Sequence, residues 1–267
     1  MRRAPPSDAP RAVRTRGKTA PGRLAALDLA MLTLEDELLR SLTPDDLVID
    51  LGFSQPWTTV ELQAALARAG LPNPVVGVEI DADRVAWARR EPTPGVEFRH
   101  GGFTLPTSPG ERVGLIRAMN VLRSYPPAAC ISARHELLRQ LTPGGALVEG
   151  SNGKRDGVLV AGWWRPRPDR LDAAIFATDL RQGFHPRMFA ARLAPDQRDG
   201  DGPLARVLAA WGRCVEGRSG DARRRFEESS RALAEQTPGV DLRGLHLGIV
   251  RMTGDALAFD MDQRRLT

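Results

Sequence analysis

The chain has 267 residues, enough to bury a full core in one large domain, and its 42% hydrophobic and 27% charged residues exclude a fibrous repeat or wholesale disorder. Its net charge is +5, yet residues 1 to 20 hold six basic side chains against Asp8 alone, so the excess lies in a basic, Pro-rich tail and the rest of the chain is neutral. No apolar run approaches the roughly 20 residues that span a bilayer, and no apolar stretch follows the N-terminal arginines; Cys130 and Cys214 are too few for a disulfide framework or a metal cage. The expectation is a cytoplasmic protein with no metal, no membrane partner and no secretory leader.

The tail, residues 1 to 22, is expected to be solvated, with a phosphate-binding arm as the alternative. Residues 23 to 41 place Leu24, Leu27, Met31, Leu34 and Leu38 on one face and read as an amphipathic helix. The apolar run 47 to 50 reads as a buried strand ending at Gly52, and Thr58 with Glu61 forms the Thr-x-x-Glu pattern of a capping box ahead of a helix over 59 to 69. A strand over 75 to 80, a helix over 83 to 90 (with Asp81 or Asp83 as its cap), a strand over 96 to 99, a strand over 113 to 119 and a helix over 128 to 141 follow. Pro143-Gly144-Gly145 then turns the chain into a strand over 146 to 150. Strands separated by single helices require crossovers, which build a parallel sheet covered on both faces, so the fold class is α/β.

Past residue 150 the rhythm changes. Segments 158 to 164 and 171 to 178, joined by RPRPDR, read as an antiparallel strand pair, with one of Trp163 and Trp164 in the core and the other facing a groove or solvent. Residues 195 to 203 read as an unstructured loop, 203 to 216 and 221 to 236 as helices, and 245 to 252 as a possible last strand. Arg165, Arg167, Arg170 and Arg223 to Arg225 form a solvated charged surface or a local basic rim. Three segments are expected: the tail 1–22, an α/β domain 23–194, and a helical C-terminal extension 195–267.

In an open parallel sheet, ligands bind outside the carboxyl ends of the strands, which brings forward Asp50, Gly52, Glu79, Gly102 and Asn120. A turn of backbone amides after Asp50 can face an anionic or carboxylate-bearing ligand, and Glu79, at the end of the next strand, can accept from the two hydroxyls of a ribose. A solvated strand-end carboxylate is the plainer reading of Glu79, and a simple strand-to-helix turn that of Gly52. Asn120 reads equally as a satisfied polar group at the sheet edge. Tyr125, followed by two prolines, is a loop anchor or a wall of a substrate pocket, and neither His100 nor His185 is taken as a base. The dinucleotide-binding pattern Gly-x-Gly-x-x-Gly is not matched, because Ser54 and Trp57 stand where its later glycines belong.

Across residues 45 to 150 the sequence resembles the class I S-adenosylmethionine-dependent methyltransferases, through VIDLGFSQP, VVGVEIDADRV, FRHGGF, GLIRAMNVLRSY and LTPGGALVEG in that order. More narrowly it resembles a bacterial methyltransferase-like group whose first motif is DLG-aromatic-x-x-x-x-TTVEL. The resemblance implies a Rossmann-like, mostly parallel seven-stranded sheet with helices on both faces, and S-adenosylmethionine as cofactor. It implies Asp50, Gly52, Phe53 and Ser54 along the methionine end, Glu79 at the ribose, Gly102 and Phe103 at the adenine, and Asn120 near the methyl group, with Ile80 also among the cofactor-binding residues. Asn120 and Tyr125 are the candidate catalytic residues, and residues 16 to 24 a candidate lid. Ser54 and Pro56 depart from the family's glycine-rich loop, and Gly102 stands where an acidic residue is common. The methyl acceptor and the oligomeric state are left open, and a degenerate, non-catalytic binding module and an RNA-directed enzyme anchored by the tail stand as alternatives.

Overall fold

The computed structural model describes residues 19–34, 36–154, 156–166, 171–198 and 202–258; most of the basic tail, Arg167 and Arg170 lie outside them. The first helical region is two helices, α1 (Ala25–Leu34) and α2 (Asp36–Ser41). Then come β1 (Asp46–Leu51), α3 (Trp57–Arg68), β2 (Val75–Glu79), α4 (Ala82–Ala88), β3 (Val96–His100), β4 (Arg112–Met119), α5 (Pro127–Arg139) and β5 (Leu141–Asn152). The chain continues through β6 (Leu159–Trp164), β7 (Leu171–Ala177), α6 (Arg187–Ala190), α7 (Pro203–Val215), α8 (Ala222–Gln236), β8 (Val240–Asp241), β9 (Ile249–Thr253) and α9 (Gly254–Ala258).

All the strands form one sheet in the order β3-β2-β1-β4-β5-β6-β7-β9-β8. The pairs among β1 to β5 are parallel, reached by crossovers through α3, α4 and α5 and, from β3 to β4, through the non-helical segment 101–111, and those from β5 through β8 are antiparallel. The fold is thus Rossmann-like α/β in its first half. The expected seven strands are β1 to β7; the sheet has nine among the described residues, because β9 pairs with β7 and carries β8 with it. The chain therefore returns from its C-terminal helices to the same sheet. Leu204, Trp211, Phe226 and Leu233 of α7 and α8 join one core cluster with Ile49, Ile116, Val160 and Phe176 of the strands. The opposite face buries Leu27, Met31 and Leu39 of α1 and α2 and Leu62 of α3 against Val48, Leu115, Val148 and Trp163. Successive strand residues alternate between these clusters, the period-two signature of a sheet covered on both sides.

Several local expectations are corrected. The residue before α3 is Pro56, and no side chain caps the helix; Thr58 is buried and Glu61 instead accepts from the Gly22 amide at 2.7 Å, so the Thr58–Glu61 capping box does not form. Asp81 does cap α4, accepting from the Asp83 amide. Pro143-Gly144-Gly145 is not a turn before β5 but an irregularity inside it, with Gly144 at φ +86° and a register shift against β4 between Val113 and Leu115. Residues 195–197 form a short 3-10 turn rather than structureless loop. The last strand is shorter than 245 to 252, because Leu245–Leu247 form a 3-10 turn closed by Gly248 at φ +76°. Both Trp163 and Trp164 are buried, the second beneath the Arg134 guanidinium, 4.1 Å from its ring centroid. That cation–π contact supplies the cover that sequence alternation leaves open.

Candidate functional site

The site is built at the carboxyl ends of β1, β2 and β4 around Gly52. This residue has φ +74°, and a Cβ there would lie 2.8 Å from Val121 Cγ2, so both the backbone conformation and the close approach require glycine. On one side of Gly52 lies a cleft of about 250 Å³ lined by Thr19, Arg23, Asp50, Ser54, Asn120 and Arg123. On the other lies a smaller recess of about 50 Å³ lined by Glu79, Ile80, Gly102, Phe103, Val121 and Tyr125. The sequence candidates are thus brought together, divided between two adjoining pockets.

The floor beneath Gly52 is held by an ion cluster that sequence reasoning missed. Arg117 of β4 is fully buried; its Nε donates to Asp50 Oδ1 at 3.0 Å, Nη1 to Asp28 Oδ1 at 2.5 Å, and Nη2 to the Thr58 carbonyl at 2.7 Å. The second oxygen of Asp50 accepts from the Thr59 hydroxyl at 2.7 Å. One guanidinium therefore ties α1, β1, β4 and the first turn of α3 together. Burial alone would push Arg117 down, but the adjoining carboxylates of Asp28 and Asp50 outweigh it, and the group is held more firmly cationic than an arginine in water. The available signal was a charge in the middle of an otherwise apolar strand, VGLIRAM, which calls for a buried partner. Asp50 therefore borders the cleft with both oxygens already engaged.

Glu79 is 4% exposed and is held by backbone. Its Oε1 accepts from the amides of Ile80 (2.9 Å) and Asp81 (3.2 Å), and its Oε2 from the amide of Ser54 (2.9 Å), with Arg84 Nη1 at 3.5 Å. Ser54 makes that bond from φ +60°, the left-handed conformation that glycine adopts more readily. The Phe53 ring packs on Phe98, 5.0 Å between centroids, and the residue borders the cleft. In the smaller recess Phe103 meets the buried Tyr125 edge-on at 5.5 Å, and Gly102 lies beside them.

Asn120 follows β4 at φ +63°. Its Nδ2 donates to Asn152 Oδ1 at 2.8 Å and its Oδ1 accepts from the Asn152 amide at 3.2 Å. Asn152 in turn donates to the Arg23 carbonyl at 2.6 Å and accepts from Arg23 Nε at 3.2 Å. With the Thr19 hydroxyl donating to the Phe53 carbonyl at 3.0 Å, the described part of the leading segment, residues 19 to 24, is fastened across the cleft. Burial, with the neighbouring charges of Arg123 and Arg192, pushes Arg23 below the usual guanidinium range. Thr19 and Arg23 belong to the segment 16 to 24 that the resemblance implies as a lid, whereas Arg123 and Asn152 were not singled out from sequence, since nothing in their spacing separates them from surface residues.

Other candidates lie elsewhere. His100 Nε2 pairs with the Ile80 carbonyl at 2.9 Å, and His185 Nδ1 accepts from the Arg187 amide, its pKa lowered by burial and then by Arg187 and Arg225. Arg223 and Arg224 pair along α8 with Glu227 and Glu228, and Arg165 donates to the Gly144 carbonyl, as expected of a charged surface. Among the described residues no group of three or more His, Cys, Asp or Glu is placed to hold a metal ion, and no helix is long and apolar enough to cross a membrane.

No protein-family model and no curated protein matches the chain. Among solved structures it is similar to LepI in complex with SAH and a substrate analogue, at 16% identity and a TM-score of 0.41, over 51% of this chain and 33% of that one. It is similar to the magnesium protoporphyrin IX methyltransferase ChlM from Synechocystis PCC 6803 with bound SAH, at 17% identity and a TM-score of 0.37, over 50% of this chain and 56% of that one. A third is the CcbJ methyltransferase from Streptomyces caelestis, at 17% identity and a TM-score of 0.35, over 60% and 67%. The match thus spans about a third of the length of LepI, and the fold described above rests on this chain's own strand order and crossovers.

Proposed function

We propose that the chain is a methyltransferase using S-adenosylmethionine, with the acceptor unidentified. The observation that carries this reading is the pair of pockets flanking Gly52: one with a strand-end carboxylate and aromatic walls, suited to a nucleoside, the other lined by two guanidinium groups, suited to an amino-acid carboxylate. When bound, the cofactor supplies a sulfonium methyl whose C–S electron pair leaves on sulfur as an acceptor lone pair forms the new bond to carbon.

The residues fit the group. Three backbone amides fill three of the roughly four acceptor positions of the Glu79 carboxylate, and Arg84 Nη1 stands 3.5 Å from Oε2, so the carboxylate accepts at most one ribose hydroxyl beside that guanidinium rather than a full pair. Ile80, Phe103 and Tyr125 wall off water from a flat heterocycle, and Arg23 and Arg123 balance a carboxylate. Asn120 spends its amide on Asn152 and acts as a positioning residue: it holds the leading segment in place and fixes the end of β4. In-line displacement asks chiefly for such alignment and exclusion of water.

A binding module without turnover is the second reading, favoured by the degree to which Glu79 is already engaged. Calorimetric titration of S-adenosylmethionine and S-adenosylhomocysteine into the full chain, with NAD as control, separates the possibilities. Micromolar binding of both sulfur ligands and none of NAD is expected. Glu79→Ala loses binding, and the exposed Arg123→Ala weakens it about tenfold without moving the melting temperature. Absence of binding by either sulfur ligand refutes the reading, and binding without methyl release to any acceptor in a broad panel favours the module.

A further inference from the structure

Displacement at a methyl group places donor and acceptor in contact, so the acceptor pocket must adjoin the donor cleft. Beside the two pockets that flank Gly52, a third recess does so. It measures about 490 Å³, lies at the ends of β5 and β7 and the start of β6, and shares Arg23 with the donor cleft. Those strand ends fall on the same edge of the sheet as Gly52 and Glu79, since β6 runs antiparallel between its neighbours. Two other recesses of comparable size do not adjoin the cleft in this way. One, bordered by His135, Arg139 and Pro143, lies where β5 begins, at the opposite edge; the other lies between α1 and α3 around Asp28 and Glu61.

The recess is a built feature. Gly157, at φ +60°, passes so close to Asp179 that a Cβ would lie 2.2 Å from its carboxylate. Asp179 accepts from the Arg181 amide at 3.1 Å and from Arg181 Nε at 2.7 Å. Between them Leu180 adopts φ +61°, its amide donating to the Thr178 hydroxyl at 3.1 Å. Left-handed backbone at a branched residue costs energy and persists where the surroundings fix it, most often around ligand sites. The floor is apolar, from Ala26, Val158, Leu159 and Ala177, and the rim carries Arg23, Lys154 and Arg181 against the single carboxylate of Asp179. The nearby Asp156 is turned to Arg192 and to the Val158 amide and does not offset that charge.

Resting on the methyltransferase reading, we propose that this recess binds the methyl acceptor, and that the acceptor is a small molecule with an apolar body and an anionic carboxylate or phosphate group. The floor takes the body and the Arg23–Lys154 rim the anion, and the Arg23–Asn152–Asn120 bridge lies where the two pockets meet. Because Arg23 lines both pockets, occupancy of one alters affinity at the other, and linkage makes the effect reciprocal.

The test is ligand-observed NMR on the full chain with phenyl phosphate, benzoate and benzyl alcohol, alone and with saturating S-adenosylhomocysteine, on the parent, Lys154→Ala and Lys154→Glu. Millimolar binding of at least one anionic probe is expected, with benzyl alcohol at least fivefold weaker. Lys154→Glu weakens the anion about tenfold while S-adenosylhomocysteine affinity, measured by calorimetry, stays within twofold. The preference between phenyl phosphate and benzoate identifies the anionic group. Equal binding of all three probes, or indifference to Lys154→Glu, overturns the proposal. Probe loss with S-adenosylhomocysteine binding intact refutes the recess alone, whereas absent S-adenosylhomocysteine binding with a Lys154-dependent probe refutes the donor reading and leaves an anion site.

Discussion

Replacing Arg117 by Met keeps an unbranched stem in the apolar strand and removes the guanidinium with its charge and donors. In the folded chain three hydrogen bonds vanish, and the carboxylates of Asp28 and Asp50, 5% and 3% exposed, are left facing each other without a cation. Breaking a buried ion pair by removing one partner costs about 3–5 kcal/mol. At about 2–4 °C per kcal/mol for a chain of this size, the melting temperature at pH 7 falls by roughly 6–20 °C. The cost has a pH signature. Burial already raises Asp28 above the usual carboxylate range with Arg117 beside it; removing that cation raises it further, so the destabilisation is present at neutral pH and fades as Asp28 protonates in acid. Urea denaturation of parent and variant from pH 7 down to pH 4 should show the gap closing. A gap of less than about 1 kcal/mol at pH 7, or one that widens in acid, refutes the view that Arg117 is the counter-ion of this cluster.

Two further outcomes follow from the surroundings of single groups. Arg99 donates to both oxygens of Glu111 and, with the Ser108 amide, draws its pKa from 4.5 to about 2. The stabilisation is then complete above pH 4.5 and lost as pH falls toward 2; Glu111→Gln removes that part of the acid limb in a stability–pH profile, and an unchanged limb counts against the pair. Burial, with Asp196 and Glu149 adding to it, pushes Cys130 up to about 11, and burial also raises Cys214. Ellman's reagent at pH 8 should find no thiol in the native chain and both after unfolding; rapid native reaction at either cysteine contradicts the packing.

The first half of the fold was legible because strands buried on both faces are written as short apolar runs; β1, β2, β4 and β5 fit that form, and helical segments separate all but β3 and β4, while the edge strand β3, VEFRH, buries Phe98 but leaves Glu97 and His100 exposed. The strand-end candidates were legible for the same reason: once the parallel rhythm is read, Gly52, Glu79, Gly102 and Asn120 fall on one edge. What the sequence concealed depends on long-range partners. Thr58 and Glu61 have capping-box spacing, but Pro56 with φ −68° already begins the helix, and Glu61 serves the leading segment instead. The start of β9 was misjudged because Gly248 must be glycine for a contact with Thr178, 70 positions earlier in the chain, where a Cβ would lie 2.2 Å from the carbonyl oxygen. Arg23 and Asn152, 129 residues apart, meet only when the sheet has assembled.

A nine-stranded open sheet ends in two rows of backbone donors and acceptors, each a template on which a foreign strand could grow. Here one terminal strand, β8, is only Val240–Asp241, too short to seed an extended ladder. The other, β3, carries Arg99 in a closed set of contacts with Glu97, Glu111 and the Pro106 carbonyl, fastening the following segment to the strand. An incoming strand would have to strip water from that ionic knot before gaining its first hydrogen bond. The long sheet that shapes the pockets is thus blunted at both ends against the edge-to-edge aggregation its size invites.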